Sequence, residues 1–202
     1  MGKYIKKYSL RDKETLLILS KCGKASQEQL TSNVNNLKEK RLYNLCREGI
    51  LEKEYISTSK YEKDIVCYKL TNLGKDLAKE KFQIDNFYKS NGNSHDLILA
   101  QKYLSLTETE RATWKTETEL QADFRHKLDV LRGHDEMEKY EDLLNRYESR
   151  EISICDATYV SDSGEIVVYE AVTSSYGKQE LQAKIEFCKA MDLPTPTFER
   201  LH

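Results

Sequence analysis

Apolar residues recur at helical spacing from Arg11 to Cys22, where Leu16, Leu17 and Leu19, with Ile18 beside them, supply one inward face, and Gly23 ends the run. A second helix is expected at once, because Ser26 followed three residues later by Gln29 is a capping box, with Leu30 and Val34 continuing the apolar side. A third helix is expected over 35–47, with Leu42 and Leu45 inward and Gly49 as its stop. Ile50 to Ser57 and Asp64 to Leu70 then read as two strands around a polar tip, and Leu73-Gly74 belongs to a closing helix. After a loop-like stretch over 83–93, helices are expected from His95 to Leu106, from Thr116 to Leu128 and from Asp135 to Arg150, the last amphipathic through Met137, Tyr140, Leu144 and Tyr147. Two strands rich in β-branched and aromatic residues, 151–160 and 165–172, flank the turn Ser161-Asp-Ser-Gly164, and Gly177 opens a final helix packing Leu181, Ile185, Cys188 and Ala190. Pro194 and Pro196 are expected to end regular structure.

Three helices, a hairpin and a helix form the element order of a winged helix-turn-helix, and residues 11–82 resemble that superfamily in "REGILEK" and "YKLTNLGKDLA". The expected fold is therefore α/β (α+β), with a winged-helix domain over 1–82, a linker over 83–93 and a second α/β domain over 94–202. In such domains the third helix enters the major groove and the wing touches the backbone. The residues off its buried stripe, Lys38, Lys40, Arg41, Tyr43, Asn44 and Arg47, together with Lys60 and Lys63 at the wing tip, suit phosphate and base-edge contacts with double-stranded DNA. The alternative is that the same surface serves a protein contact.

Charge sharpens this division. The chain of 202 residues has a net charge of −2, yet residues 1–82 hold 18 Lys and Arg against 11 Asp and Glu, leaving 14 against 23 for the remainder. A basic front suits an anionic partner and an acidic back suits cations. No apolar run reaches membrane-spanning length and the first residues lack a secretory segment, so a cytoplasmic location is expected. Five scattered cysteines and four histidines show no disulfide framework and no zinc-ligand spacing.

The candidate chemistry lies in the second hairpin. With the odd loop 161–165, Asp156 falls opposite Glu170 and both side chains leave one face, with Cβ atoms about 5 Å apart. Facing carboxylates repel; a hard divalent cation, magnesium or manganese, would compensate them. The alternative is an exposed sheet face with both acids solvated, although each shares its face with aliphatic residues, Ile152 and Ile154 or Ile166, Val168 and Val172. Glu119 forms a capping box with Thr116, whereas Glu117 has no such structural role.

The pieces Ser94-His-Asp-Leu97, Trp114-Lys-Thr-Glu117, Cys155-Asp-Ala-Thr158, Tyr169-Glu-Ala-Val172 and the later Lys184 resemble the replication-relaxation family and, within it, the MOBC class of plasmid mobilisation relaxases. Such proteins place a winged helix before a domain like that of PD-(D/E)xK restriction nucleases. The resemblance implies metal-dependent cleavage of one DNA strand at an origin, with Glu117, Asp156 and Glu170 holding magnesium or manganese and His95 and Asp96 nearby. The alternative is a non-catalytic transcription regulator or origin-binding accessory factor whose nuclease-like half has lost its chemistry, and a homodimer fits either reading. One departure stands out: Val172 occupies the place of the motif lysine. Lys178 or Lys184 can supply that charge from the final helix, although Lys178, Gln182, Lys184 and Lys189 can equally be read as its solvated side.

Overall fold

The first apolar run folds as α1 (Leu10–Cys22), and its start is closed by Asp12, whose Oδ2 accepts from the Ser9 amide at 2.6 Å and the Ser9 hydroxyl at 2.8 Å. The computed structural model describes residues 4–57, 64–90, 92–173 and 176–200. A short strand, β1 (Lys24–Ser26), leads directly into α2 (Gln27–Asn33), where Ser26 and Gln29 make the expected reciprocal cap at 3.0 and 2.8 Å. The next helix, α3 (Glu39–Arg47), starts later than the apolar pattern suggests, because Val34 and Leu37 are spent on a buried turn before it. Strands β2 (Leu51–Ile56) and β3 (Ile65–Leu70) pair antiparallel, and β1 adds to the far side of β3 to give the order β1-β3-β2. Helix α4 (Asn72–Phe82) follows, capped by Thr71, and its Gly74 is required by space: a Cβ there would sit 2.2 Å from the Ile50 carbonyl oxygen.

The chain is mixed α/β and divides into two compact units, Met1–Leu106 and Thr107–His202. The division falls later than the loop composition over 83–93 suggests. Helix α5 (Asn93–Ser105) packs against α1, α2 and β1, with Ile98, Leu99 and Tyr103 buried, so it belongs to the first unit. Gln29 Nε2 donates to the Leu97 carbonyl at 3.0 Å, and the buried Lys24 ammonium bridges Glu54 and Asn93. The stretch after α4 is itself anchored, since Ile84 and Tyr88 are buried and the Tyr88 amide donates to the Ser20 carbonyl at 2.7 Å.

The second unit contains α6 (Glu108–Ala112), β4 (Lys115–Thr116), α7 (Glu117–Gly133), α8 (Met137–Glu148), β5 (Ala157–Val160), β6 (Ile166–Val172), α9 (Lys178–Ala190) and β7 (Thr197–Arg200). Its sheet runs β4-β5-β6-β7; the first pairs are antiparallel, and β7 lies parallel to β6 after the α9 crossover. The edge strand β7 is a correction to the expectation that the prolines end regular structure. Pro194 and Pro196 precede it, where no ladder amide is needed, and an edge tolerates them. One face of the sheet carries Val168 against Leu120, Phe124 and Leu128 of α7 and Phe187 of α9, with α8 packed around Phe124 through Tyr147. The other face carries Tyr159 and Tyr169 around the buried Trp114. Among the described residues no helix is long and apolar enough to cross a membrane.

Candidate functional site

The β5–β6 register pairs Ala157 with Tyr169 and Val160 with Ile166, which carries Asp156 to the position opposite Glu170. The turn that sets this register closes with the Ser161 amide on the Glu165 carbonyl at 2.8 Å and Gly164 at φ 85°. Both acids are buried, Asp156 at 1% exposure and Glu170 at 0%. Strand alternation puts Glu170 on the face of Val168 and Val172, toward the helical layer.

The two acids brace each other's strands. The Asp156 amide donates to Glu170 Oε2 at 3.0 Å, and the Ala171 amide donates to Asp156 Oδ2 at 2.8 Å. From α9, Lys184 Nζ reaches Glu170 Oε1 at 2.8 Å and donates to the Ile154 carbonyl at 2.6 Å. The Tyr176 hydroxyl donates to the same Glu170 Oε1 at 2.8 Å. Lys184 is 7% exposed, so its position is a correction to the solvated alternative: the buried face of α9 is Ala183, Lys184, Phe187 and Cys188, while Leu181 and Ile185 are half-buried. The reason is electrostatic, since two buried carboxylates draw a cation inward.

Burial, then the charge of Asp156, pushes the Glu170 carboxyl up to about 7, despite the opposing pull of Lys184 and Tyr176. Burial works against the Lys184 charge, but Glu170 and Asp156 outweigh it and raise its pKa. Tyr176 is raised by burial and by Glu170 and Asp156, with a further contribution from Glu117. A carboxyl held above its ordinary value stabilises the fold fully below that ordinary value and loses the contribution as pH rises through the folded one. Unit 2 is therefore expected to lose on the order of 3 kcal/mol between pH 4.5 and pH 8 through Glu170 alone. The measurement is urea unfolding followed by Trp114 fluorescence, comparing wild type with Glu170→Gln; parallel pH profiles would contradict the assignment.

Asp156 and Glu170 fit magnesium or manganese in donor chemistry, being hard carboxylate oxygens buried beside a single ammonium. Glu117 stands half-buried at the first position of α7, and among the described residues no group of three His, Cys, Asp or Glu side chains is placed to hold a metal ion. His95 and Asp96 belong to the first unit, buried in α5, where Ser90 donates to Asp96 Oδ2 and the Tyr88 hydroxyl lies 3.3 Å from His95 Nδ1. Cys155 and Cys188, the neighbours of the site, are buried thiols with sulfurs 3.8 Å apart, and the described chain has no disulfide.

On the first unit, Lys38, Lys40, Tyr43 and Arg47 are exposed on and just before α3, with Tyr43 58% accessible, and Asn44 is half-buried. The Arg47 guanidinium lies over the Tyr4 ring at 3.7 Å and 5.6 Å from the Tyr43 centroid, an exposed cation–aromatic stack. Arg41 departs from the expected surface role: its Nε and Nη2 each donate to Asp12 at 2.7 Å and Nη2 also donates to the Lys7 carbonyl at 3.0 Å. Asp12 is wholly buried and needs that partner. Lys60 and Lys63 lie outside the described residues. Lys53 and Tyr55 of β2, missed by the strand reading, add a cation and a 63% exposed ring to the same unit, and Lys53 lines a pocket of about 270 Å³ with Lys40, Tyr43 and Tyr68. Comparison with protein-family models, curated proteins and solved structures finds no match to this chain.

Proposed function

We propose that the chain binds double-stranded DNA through a winged helix in unit 1 and carries in unit 2 a metal-assisted DNA-nicking centre of the replication-relaxation type. The observation that carries this reading is the burial of Asp156, Glu170 and Lys184 in one contact set, despite the absence of a lysine after the second acid. Lys184 stands in from α9 for the lysine that Val172 replaces. Two of its three donors are used on Glu170 and Ile154, which leaves one for a phosphate oxygen. Asp156 and Glu170 would hold magnesium or manganese, and the ion would polarise the scissile phosphate and lower the pKa of an attacking water. In unit 1 the order α1, α2, α3, β2, β3, α4 with a three-stranded antiparallel sheet supports the winged helix, and Lys38, Lys40, Tyr43 and Arg47 supply the charge and the aromatic face. A homodimer on a two-fold origin or operator site is compatible with this reading.

The test is nicking of a supercoiled origin-bearing plasmid with manganese. Wild type is expected to convert it to the open circle, with a loss of at least about 100-fold in Asp156→Ala and Glu170→Ala. Nicking unchanged in both variants, or none by wild type, rejects the enzyme.

A second reading is favoured by a specific observation. Lys184, Tyr176 and the Asp156 amide already occupy both oxygens of Glu170, an arrangement that also suits a purely structural cluster in a DNA-binding regulator or origin accessory factor. In that case DNA binding weakens steeply with salt and manganese changes nothing.

A further inference from the structure

We propose that Tyr176 is a positioning residue of the unit 2 site, holding Glu170 in the orientation in which it binds a divalent cation. The inference rests on the reading of unit 2 as a metal-assisted centre, and it adds a residue from the segment between β6 and α9.

Glu170 is fixed at both oxygens. Oε2 is taken by the Asp156 amide at 3.0 Å, so its place depends only on the β5–β6 ladder. Oε1 is shared by Lys184 Nζ and the Tyr176 hydroxyl, each at 2.8 Å. These two partners differ in what they can do during a reaction. Lys184 is a flexible ammonium suited to turn toward a phosphate, and when it does, Oε1 loses its charged partner. Tyr176 lies two residues before α9 and is anchored there: its amide donates to the Thr173 carbonyl at 3.2 Å, which ties the residue to the end of β6.

The neutral phenol also suits the location. It donates to a carboxylate without cancelling the charge a cation needs, whereas Lys184 competes with the cation for the same oxygen. Removing a partner that orients a metal-binding side chain costs about 10–100-fold in metal affinity.

The experiment is a manganese titration of the full chain read by the electron paramagnetic resonance signal of the free ion, comparing wild type with Tyr176→Phe, which deletes one oxygen. The expected result is a dissociation constant about 10–100-fold weaker in the variant, with the Trp114 fluorescence unfolding midpoint within about 0.3 M urea of wild type. In the nicking assay the variant should then recover toward the wild-type rate at saturating manganese, with the KM for plasmid unchanged. Tight binding by wild type and equally tight binding by Tyr176→Phe would overturn the role of Tyr176 while leaving the metal centre intact. No binding by wild type would overturn the centre itself and this inference with it. Should Tyr176→Phe lower the midpoint beyond that margin, Tyr176→Gln, which keeps a hydrogen-bond donor, provides the second comparison: the proposal requires it to bind manganese more tightly than Tyr176→Phe, and equally weak binding by the two overturns it.

Discussion

Replacement of Lys184 by alanine is expected to lower the stability of unit 2 by about 3–5 kcal/mol, the cost of removing one partner from a buried ion pair. The size follows from what remains. Glu170 is 0% exposed and Asp156 1% exposed, and without the ammonium the two facing acids lose the cation that Lys184 brings to Glu170. Part of the loss is the methylene stem of Lys184, which lies beside Ala183 and Phe187 in the packed side of α9. The double variant Lys184→Met/Glu170→Gln separates the two contributions, because it keeps the volume and removes both charges; it should recover most of the loss. Trp114, the single tryptophan, is buried in unit 2 and reports its unfolding directly. A Lys184→Ala midpoint indistinguishable from wild type would mean that the carboxylates are not buried as described.

Arg41→Ala is expected to cost unit 1 a similar amount, about 3–5 kcal/mol, and to act on folding before it acts on DNA. Asp12 is 0% exposed, and the guanidinium is 18% exposed and bidentate on it at 2.7 Å for both bonds. Burial raises the Asp12 carboxyl, but its hydrogen bonds from Arg41 and Ser9 prevail and its pKa is lowered. A depressed carboxyl contributes stability that is present above its ordinary value and lost as pH falls through the folded one, so wild-type unit 1 should weaken below about pH 4 and Arg41→Ala should not show that step. Amide exchange in α1 and α3 is the measurement, and both helices should lose protection together. By contrast Lys40→Ala and Arg47→Ala, at exposed positions, should leave exchange unchanged and lower DNA affinity in a salt-dependent way. Protection of α1 and α3 retained in Arg41→Ala would return Arg41 to the set proposed to face DNA.

The contrast between Arg41 and Lys40 shows where reading the chain reaches its limit. Local signals carry over well, because their cause is local. Ser26 with Gln29 and Thr116 with Glu119 close their helices as the four-residue patterns predict. The odd loop at Ser161–Glu165 places Asp156 opposite Glu170, since a strand period of two leaves no other register for the aliphatic face. What is lost is partner choice across long separations. Arg41 and Asp12 are 29 residues apart, and nothing in either helix marks one as the other's counter-ion. Lys184 lies three residues after Leu181 and four before Cys188, in line with the apolar stripe, yet a lysine there is read as solvated unless a buried acid is known to await it. Helix α5 follows a loop composition that suggests a boundary, yet its apolar residues find α1 and β1, and periodicity carries no information about which neighbour a face meets. Strands β1 and β7, of three and four residues, are too short for a period to emerge.

Whether Asp156 and Glu170 form one cation site is decided by diffraction at the manganese absorption edge from crystals soaked in manganese. A single anomalous peak is expected between the two carboxylates, absent from Asp156→Ala crystals treated in the same way. An anomalous map with no peak there, or a peak that persists in Asp156→Ala, would contradict the shared site.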